Sequence, residues 1–106
     1  MKILLDECLP VDFRHCFQNH DAHTTQWARF KGLKNGVLLR AAEVAGYGAF
    51  LTVDESIRYQ QNLDGMTISM ILIRSRSNRM EDLRPLVPAI LKVLESIDSG
   101  KVVTIG

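Results

Sequence analysis

Two acids close two similar runs in this chain. Lys2-Ile3-Leu4-Leu5 leads into Asp6, and Ala49-Phe50-Leu51-Thr52-Val53 leads into Asp54. Short, largely aliphatic runs that stop at an acid read as strands buried on both faces, with the acid at the carboxyl end. In an open α/β sheet, ligands bind beyond those ends, where the strand order reverses. Carboxylates gathered at one sheet edge repel each other, and a cation offsets that cost. Mg²⁺ or Mn²⁺ suits such a site, because a hard ion takes one or two carboxylates and fills its other positions with water or phosphate oxygens. The chemistry expected is metal-assisted phosphodiester hydrolysis, with Asp6 and Asp54 as ligands. Glu7, next to Asp6, is a third catalytic candidate. Each Asp alone has a plainer role: Asp6 as a cap for a helix entering at Pro10, Asp54 as a cap for the turn at Ser56.

Basic and amide side chains follow both strands that would flank such a site. Arg58 and Asn62 come after Asp54, and Arg74, Arg76 and Asn78 come after the next strand. All five are candidates for substrate contact, since guanidinium and amide groups hold phosphates and base edges. The competing reading is a solvated charged face. His15, His20 and His23 lack the spacing of a transition-metal motif. Trp27 and Phe30 share a helical spacing, so core packing is expected of them first, a partner contact second and base stacking third.

The elements that must position these residues follow from the apolar pattern. Strands are expected at 2–5, 22–24, 49–53, 66–73 and 102–105. A helix is expected at 10–19, a second from an N-cap at Asn35 to about Ala45, and a polar helical segment within 56–62. A last helix starts near Pro85, because proline breaks a regular turn, although Asn78 and Glu81 resemble a capping box. This alternation predicts one α/β domain over 1–106, with a mostly parallel sheet covered by helices on both faces.

The totals exclude several classes. With 46% hydrophobic and 24% charged residues, the chain of 106 residues fits neither a disordered nor a coiled-coil class. A net charge of +1 cannot steer the whole molecule to nucleic acid, so any such binding needs a local patch. The opening apolar run is too short for a signal peptide and no later run could span a bilayer. Cys8 and Cys16 form no Cys-x-x-Cys pair, so reduced thiols, no membrane and a cytoplasmic location are expected.

The segments Leu4-Leu5-Asp6-Glu7-Cys8-Leu9-Pro10 and Leu51-Thr52-Val53-Asp54 resemble the opening and the later T-x-D element of PIN-like toxins of toxin-antitoxin systems. Between them, Trp27, Gly32-Leu33-Lys34-Asn35-Gly36 and Leu38-Leu39 are similar to the middle segment of that family. The resemblance implies a PIN-like three-layer sandwich and a divalent-metal ribonuclease, the toxin of a type II system held silent by a cognate antitoxin. RNA and the antitoxin are the partners it implies, with a homodimer as a further assembly. Asn35 and Gly36 stand where many members carry acids. Asn35 can offer a metal only a carbonyl oxygen or a hold on a bound water, and it serves equally as a helix cap. A PIN-like module that binds RNA or antitoxin without turnover is therefore the alternative. A phosphoacceptor receiver domain, with Asp54 phosphorylated, is a third reading. It requires a lysine at the end of the last strand, whereas Lys101 precedes it.

Overall fold

The structure is a computed structural model that describes residues 1–56 and 63–106, the side chain of Asn35 excepted. Its centre is a five-stranded sheet of β1 (Lys2–Leu5), β2 (Asp21–Thr24), β3 (Ala49–Thr52), β4 (Ser69–Ile73) and β5 (Val102–Ile105), in the order β2-β1-β3-β4-β5. Each neighbouring pair is parallel. In register, Leu5 lies between Thr24 of β2 and Leu51 of β3. Parallel strands are buried on both faces, which is why β1, β3 and β4 are almost wholly apolar.

Alternate side chains of these strands feed two cores. On one face Ile3, Leu5, Leu51, Ile71 and Ile73 pack with Phe13, Leu83, Ile90 and Leu94. Leu4, Phe50 and Met70 point the other way, against Leu38, Leu39 and Ala42. The first layer comes from a 3-10 helix (Val11–Cys16), from α2 (Met80–Leu83) and from α3 (Val87–Ser96). The second comes from α1 (Asn35–Val44). Helices therefore cover both faces. No helix among the described residues is long and apolar enough to cross a membrane.

Several elements depart from the sequence expectation, each for a local reason. The helix expected at 10–19 is a 3-10 helix over Val11–Cys16. It buries Phe13 and Phe17 in edge-to-face contact at 5.1 Å, and the chain then turns through a Phe17 carbonyl to His20 N–H bond of 2.9 Å into β2. β4 begins at Ser69 because a turn at Gly65 (φ 79°) is closed by Met66 N–H to Leu63 carbonyl, and Thr67 N–H is taken by Glu43. The last helical stretch begins at Met80 and accommodates its prolines by changing pitch. Arg84–Leu86 is 3-10 around Pro85, and Pro88 sits in the first turn of α3, where its missing donor costs little. Arg79, with extended backbone, occupies the N-cap position of α2, so the Asn78–Glu81 capping box does not form. In α1 the cap position belongs to Lys34, and Asn35 is the first helical residue. Residues 25–29 form turns and no helix includes Trp27 or Phe30, so the two share no helix face. The polar segment expected within 56–62 lies largely outside the described residues.

Candidate functional site

From β1 the chain moves outward to β2, then crosses to β3 on the other side of β1, so the winding reverses between β1 and β3. Asp6 follows β1 and Asp54 follows β3 by two residues, so both acids stand at that reversal, on the carboxyl edge of the sheet. Asp6 is held by its backbone, its N–H bonding the Leu51 carbonyl at 2.9 Å and extending the ladder past β1.

Thr52, fully buried at the end of β3, joins the two acids. Its hydroxyl donates to Asp6 Oδ2 at 2.6 Å and accepts the Asp54 N–H at 3.0 Å. Asp6 Oδ1 accepts the Glu7 N–H at 2.8 Å, and the Cys8 thiol donates to Oδ2 at 3.5 Å. Asp54 Oδ1 takes both the N–H and the hydroxyl of Ser56, at 3.0 and 2.7 Å, so Asp54 does cap the turn at Ser56. Those bonds use one carboxylate oxygen. Asp54 is exposed and Glu7 is exposed, whereas Asp6 is half-buried.

Asp6, Glu7 and Asp54 line one cleft of about 150 Å³, together with Cys8, Lys34 and Leu38. The first turn of α1 thus forms a wall of the acidic cleft. Among the described residues no three His, Cys, Asp or Glu side chains group tightly enough to enclose a metal. The donors on offer are the two aspartates and the neighbouring glutamate, all hard oxygens, a set that fits Mg²⁺ or Mn²⁺ completed by solvent or phosphate. It does not fit zinc, which would favour the thiolate of Cys8. Burial pushes that thiol above its ordinary pKa and the Asp6 charge adds to the rise, against hydrogen bonds from Val53 and Thr52. Cys8 therefore remains a protonated donor to Asp6 at neutral pH.

A second cleft of about 470 Å³ opens beside the ends of β3 and β4, lined by Val53, Glu55, Arg74, Ser77 and Asn78 among others. Arg74 Nε pairs with Glu55 at 3.1 Å, both side chains more than half exposed, an arrangement worth little in water. Asn78 donates its side-chain amide to the Cys8 carbonyl at 2.9 Å, tying the loop after β4 to the loop that carries Glu7. Arg76 is exposed in the same loop, outside this lining. Arg58 and Asn62 lie outside the described residues. The backbone of Asn35 opens α1 next to Lys34, which lines the acidic cleft. Glu43, the acid of α1, does not line the cleft, and its carboxylate accepts the Thr67 N–H at 2.6 Å.

Three residues at the site were given no role from sequence. Thr52 stands there only as the Thr of the T-x-D element, and its place two before Asp54 is the one hint of a hydroxyl aimed along the sheet edge. Lys34 and Cys8 reach the cleft through loops whose course no periodicity reveals. Lys101 lies at the opposite edge, just before β5, its N–H on Ser69 Oγ at 3.0 Å.

The sheet and its paired acids define an α/β domain with helices on both faces and an acidic cleft at the reversal of winding. Comparison of the chain with protein-family models, with curated proteins and with solved structures finds no match.

Proposed function

We propose that this chain is a PIN-like ribonuclease module dependent on Mg²⁺ or Mn²⁺, the toxin of a cytoplasmic toxin-antitoxin pair. The observation that carries the reading is the Thr52 bridge, which couples Asp6 and Asp54 at the reversal of winding beside a cleft that Glu7 also lines. Asp6 and Asp54 hold the cation, with Glu7 as an added oxygen on the same wall. When bound, the cation polarises the phosphodiester and supplies an activated water. Thr52 fixes the Asp6 carboxylate, and Arg74 leaves Glu55 to meet the RNA backbone. Arg76, and Arg58 and Asn62 by sequence, add to that contact. Cys8 and Cys16, both free, suit a reducing compartment. The antitoxin and a second copy of the chain are the protein partners of this reading.

The experiment is cleavage of a labelled RNA with and without millimolar Mg²⁺ or Mn²⁺, repeated with Asp6→Asn and Asp54→Asn. Cleavage that survives both substitutions would sink the proposal. A binding module without turnover is favoured by one observation, that α1 opens on Asn35-Gly36 with no acid in its first turn. RNA or antitoxin binding without cleavage at any metal concentration would select that reading. The receiver reading loses support, because Lys101 is at the wrong edge to meet a phosphoryl group on Asp54.

A further inference from the structure

β2 is the edge strand beside β1, the strand that ends at Asp6, and the residues around its free side form a built surface. A pocket of about 310 Å³ lies against it, lined by Val11 and Arg14 of the 3-10 helix, Ala22, Thr24, Gln26 and Trp27, with His23. Trp27 is 66% exposed, an unusual state for the one tryptophan of the chain. Its position is nevertheless fixed. One face of the indole stacks on His23, with ring centroids 3.9 Å apart and planes within 27°. His23 Nδ1 lies 2.8 Å from the Tyr47 hydroxyl, and Tyr47 is buried. The Trp27 N–H bonds the Thr24 hydroxyl at 3.1 Å. A rigid aromatic with one face covered and the other bare is a stacking platform.

The edge of β2 supplies hydrogen-bonding groups in the same pocket. Asp21 and Thr25 direct their N–H groups to Met1 and Leu5 carbonyls, so the alternation of a parallel ladder turns Ala22 and Thr24 outward. The Thr24 carbonyl is already taken by the Ala28 N–H at 3.0 Å. Among the described residues, the Ala22 N–H and carbonyl and the Thr24 N–H are left facing outward. That set matches the short donor and acceptor edge of a heterocyclic base. It is too short for an added peptide strand, which needs a longer run of paired backbone groups. Arg14 provides a cation at the pocket wall. Thr25 N–H bonds the Leu5 carbonyl at 3.2 Å, so the chain leaves β2 toward Trp27 beside the end of β1 from which Asp6 emerges.

We infer that this pocket is a nucleobase subsite for single-stranded RNA, with the base stacked on the free face of Trp27, its edge on Ala22 and Thr24, and a flanking phosphate on Arg14. The choice of RNA rests on the ribonuclease reading above; the stacking itself does not. It gives the acidic cleft a register, because a base seated at β2 sets which phosphodiester lies over Asp6 and Asp54.

The test uses the single tryptophan as its own reporter. Short single-stranded RNA is titrated into the full chain and into Asp6→Asn, and indole fluorescence is followed. Saturable quenching in both is expected, as is affinity roughly tenfold weaker in Trp27→Ala by anisotropy of a labelled RNA, with Trp27→Phe in between. Trp27 is exposed, so these variants leave the core alone, and circular dichroism checks the fold. RNA that binds without quenching, or equally well to Trp27→Ala, overturns the subsite, as does quenching by an extended apolar peptide and not by RNA. Asp6-dependent cleavage indifferent to Trp27 would overturn the subsite and leave the ribonuclease standing. Quenching in a chain that cleaves nothing would keep the subsite and fail the ribonuclease.

Discussion

The hydroxyl of Thr52 sits 2.6 Å from Asp6 Oδ2 and directs its proton there, while its oxygen receives the Asp54 N–H. One buried side chain thereby sets the orientation of the first carboxylate and the exit angle of the chain that carries the second. The candidate metal site is built on a strand end, the stiffest support that a parallel sheet provides.

Removing that hydroxyl while keeping the shape isolates its role. Thr52→Val is expected to lower stability by about 1.5 to 3 kcal/mol, since a hydrogen bond to a carboxylate is lost inside the protein. RNA cleavage should fall roughly 10 to 100-fold, the usual effect of losing a group that orients a metal ligand. Thr52→Ser should keep most of both. Urea denaturation and cleavage rates measure the two, and equal behaviour of Val and Ser would remove Thr52 from the site.

Substitution of the two proposed ligands should be harsher. Asp6→Asn and Asp54→Asn are each expected to reduce cleavage by more than the roughly 100-fold upper range for an orienting group. Asp54→Asn keeps a side-chain oxygen for Ser56, so its thermal stability should stay near that of the parent. A rate assay beside a melting curve separates a lost ligand from a lost turn.

Arg74 is expected to touch phosphate after leaving Glu55. In Arg74→Ala, the slope of log affinity for single-stranded RNA against log salt should shrink by about 0.7, the share of one phosphate contact. An unchanged slope would return Arg74 to a surface ion pair.

Cys8 reports on the charge of Asp6. In a Cys16→Ser background, Cys8 should react slowly with iodoacetamide at neutral pH, because burial and the Asp6 carboxylate raise its pKa. Asp6→Asn should speed the reaction. The folded state favours the thiol, so its contribution to stability is full below the ordinary thiol pKa and is lost as pH rises through the higher folded value. An alkylation profile against pH tests the sign.

His23 should act in the opposite direction. Burial lowers its pKa and Lys2 adds to the drop, while Asp21 opposes it. The folded state prefers the neutral ring, so the stability it contributes is present above the ordinary histidine pKa of about 6.5 and is lost as pH falls through the folded value. Urea midpoints across mildly acidic pH should decline less in His23→Gln than in the parent.

The strand ends were legible because burial on both faces leaves a plain mark: four or five apolar residues, then an acid. β1 agrees with its expected bounds, β3 ends one residue early, and β5 matches at 102–105. Helix type was less legible. Whether Val11–Cys16 winds as 3-10 depends on how Phe13 and Phe17 reach the core, and whether Pro85 stops or merely tightens a helix depends on the sheet beneath it. Trp27 was misplaced for a similar reason. Its spacing from Phe30 fits a helix face, but the turn at 25–29, with Arg29 at φ 64°, exposes the indole and lays it on His23.

From sequence alone came the α/β class, the two acids at strand ends and the near-neutral charge that confines any nucleic-acid contact to a patch. Those follow from local apolar pattern and composition, which are written residue by residue. Tertiary structure decided the strand order, and with it the reversal of winding that sets Asp6 beside Asp54. It also placed the Thr52 hydroxyl between them, brought Lys34 to the acidic cleft and Asn78 to the Cys8 carbonyl, and left the edge of β2 open beside Trp27. The relation of Thr52 to Asp6 joins residues 46 positions apart, and it is the pairing of β1 with β3 that brings them within hydrogen-bonding reach.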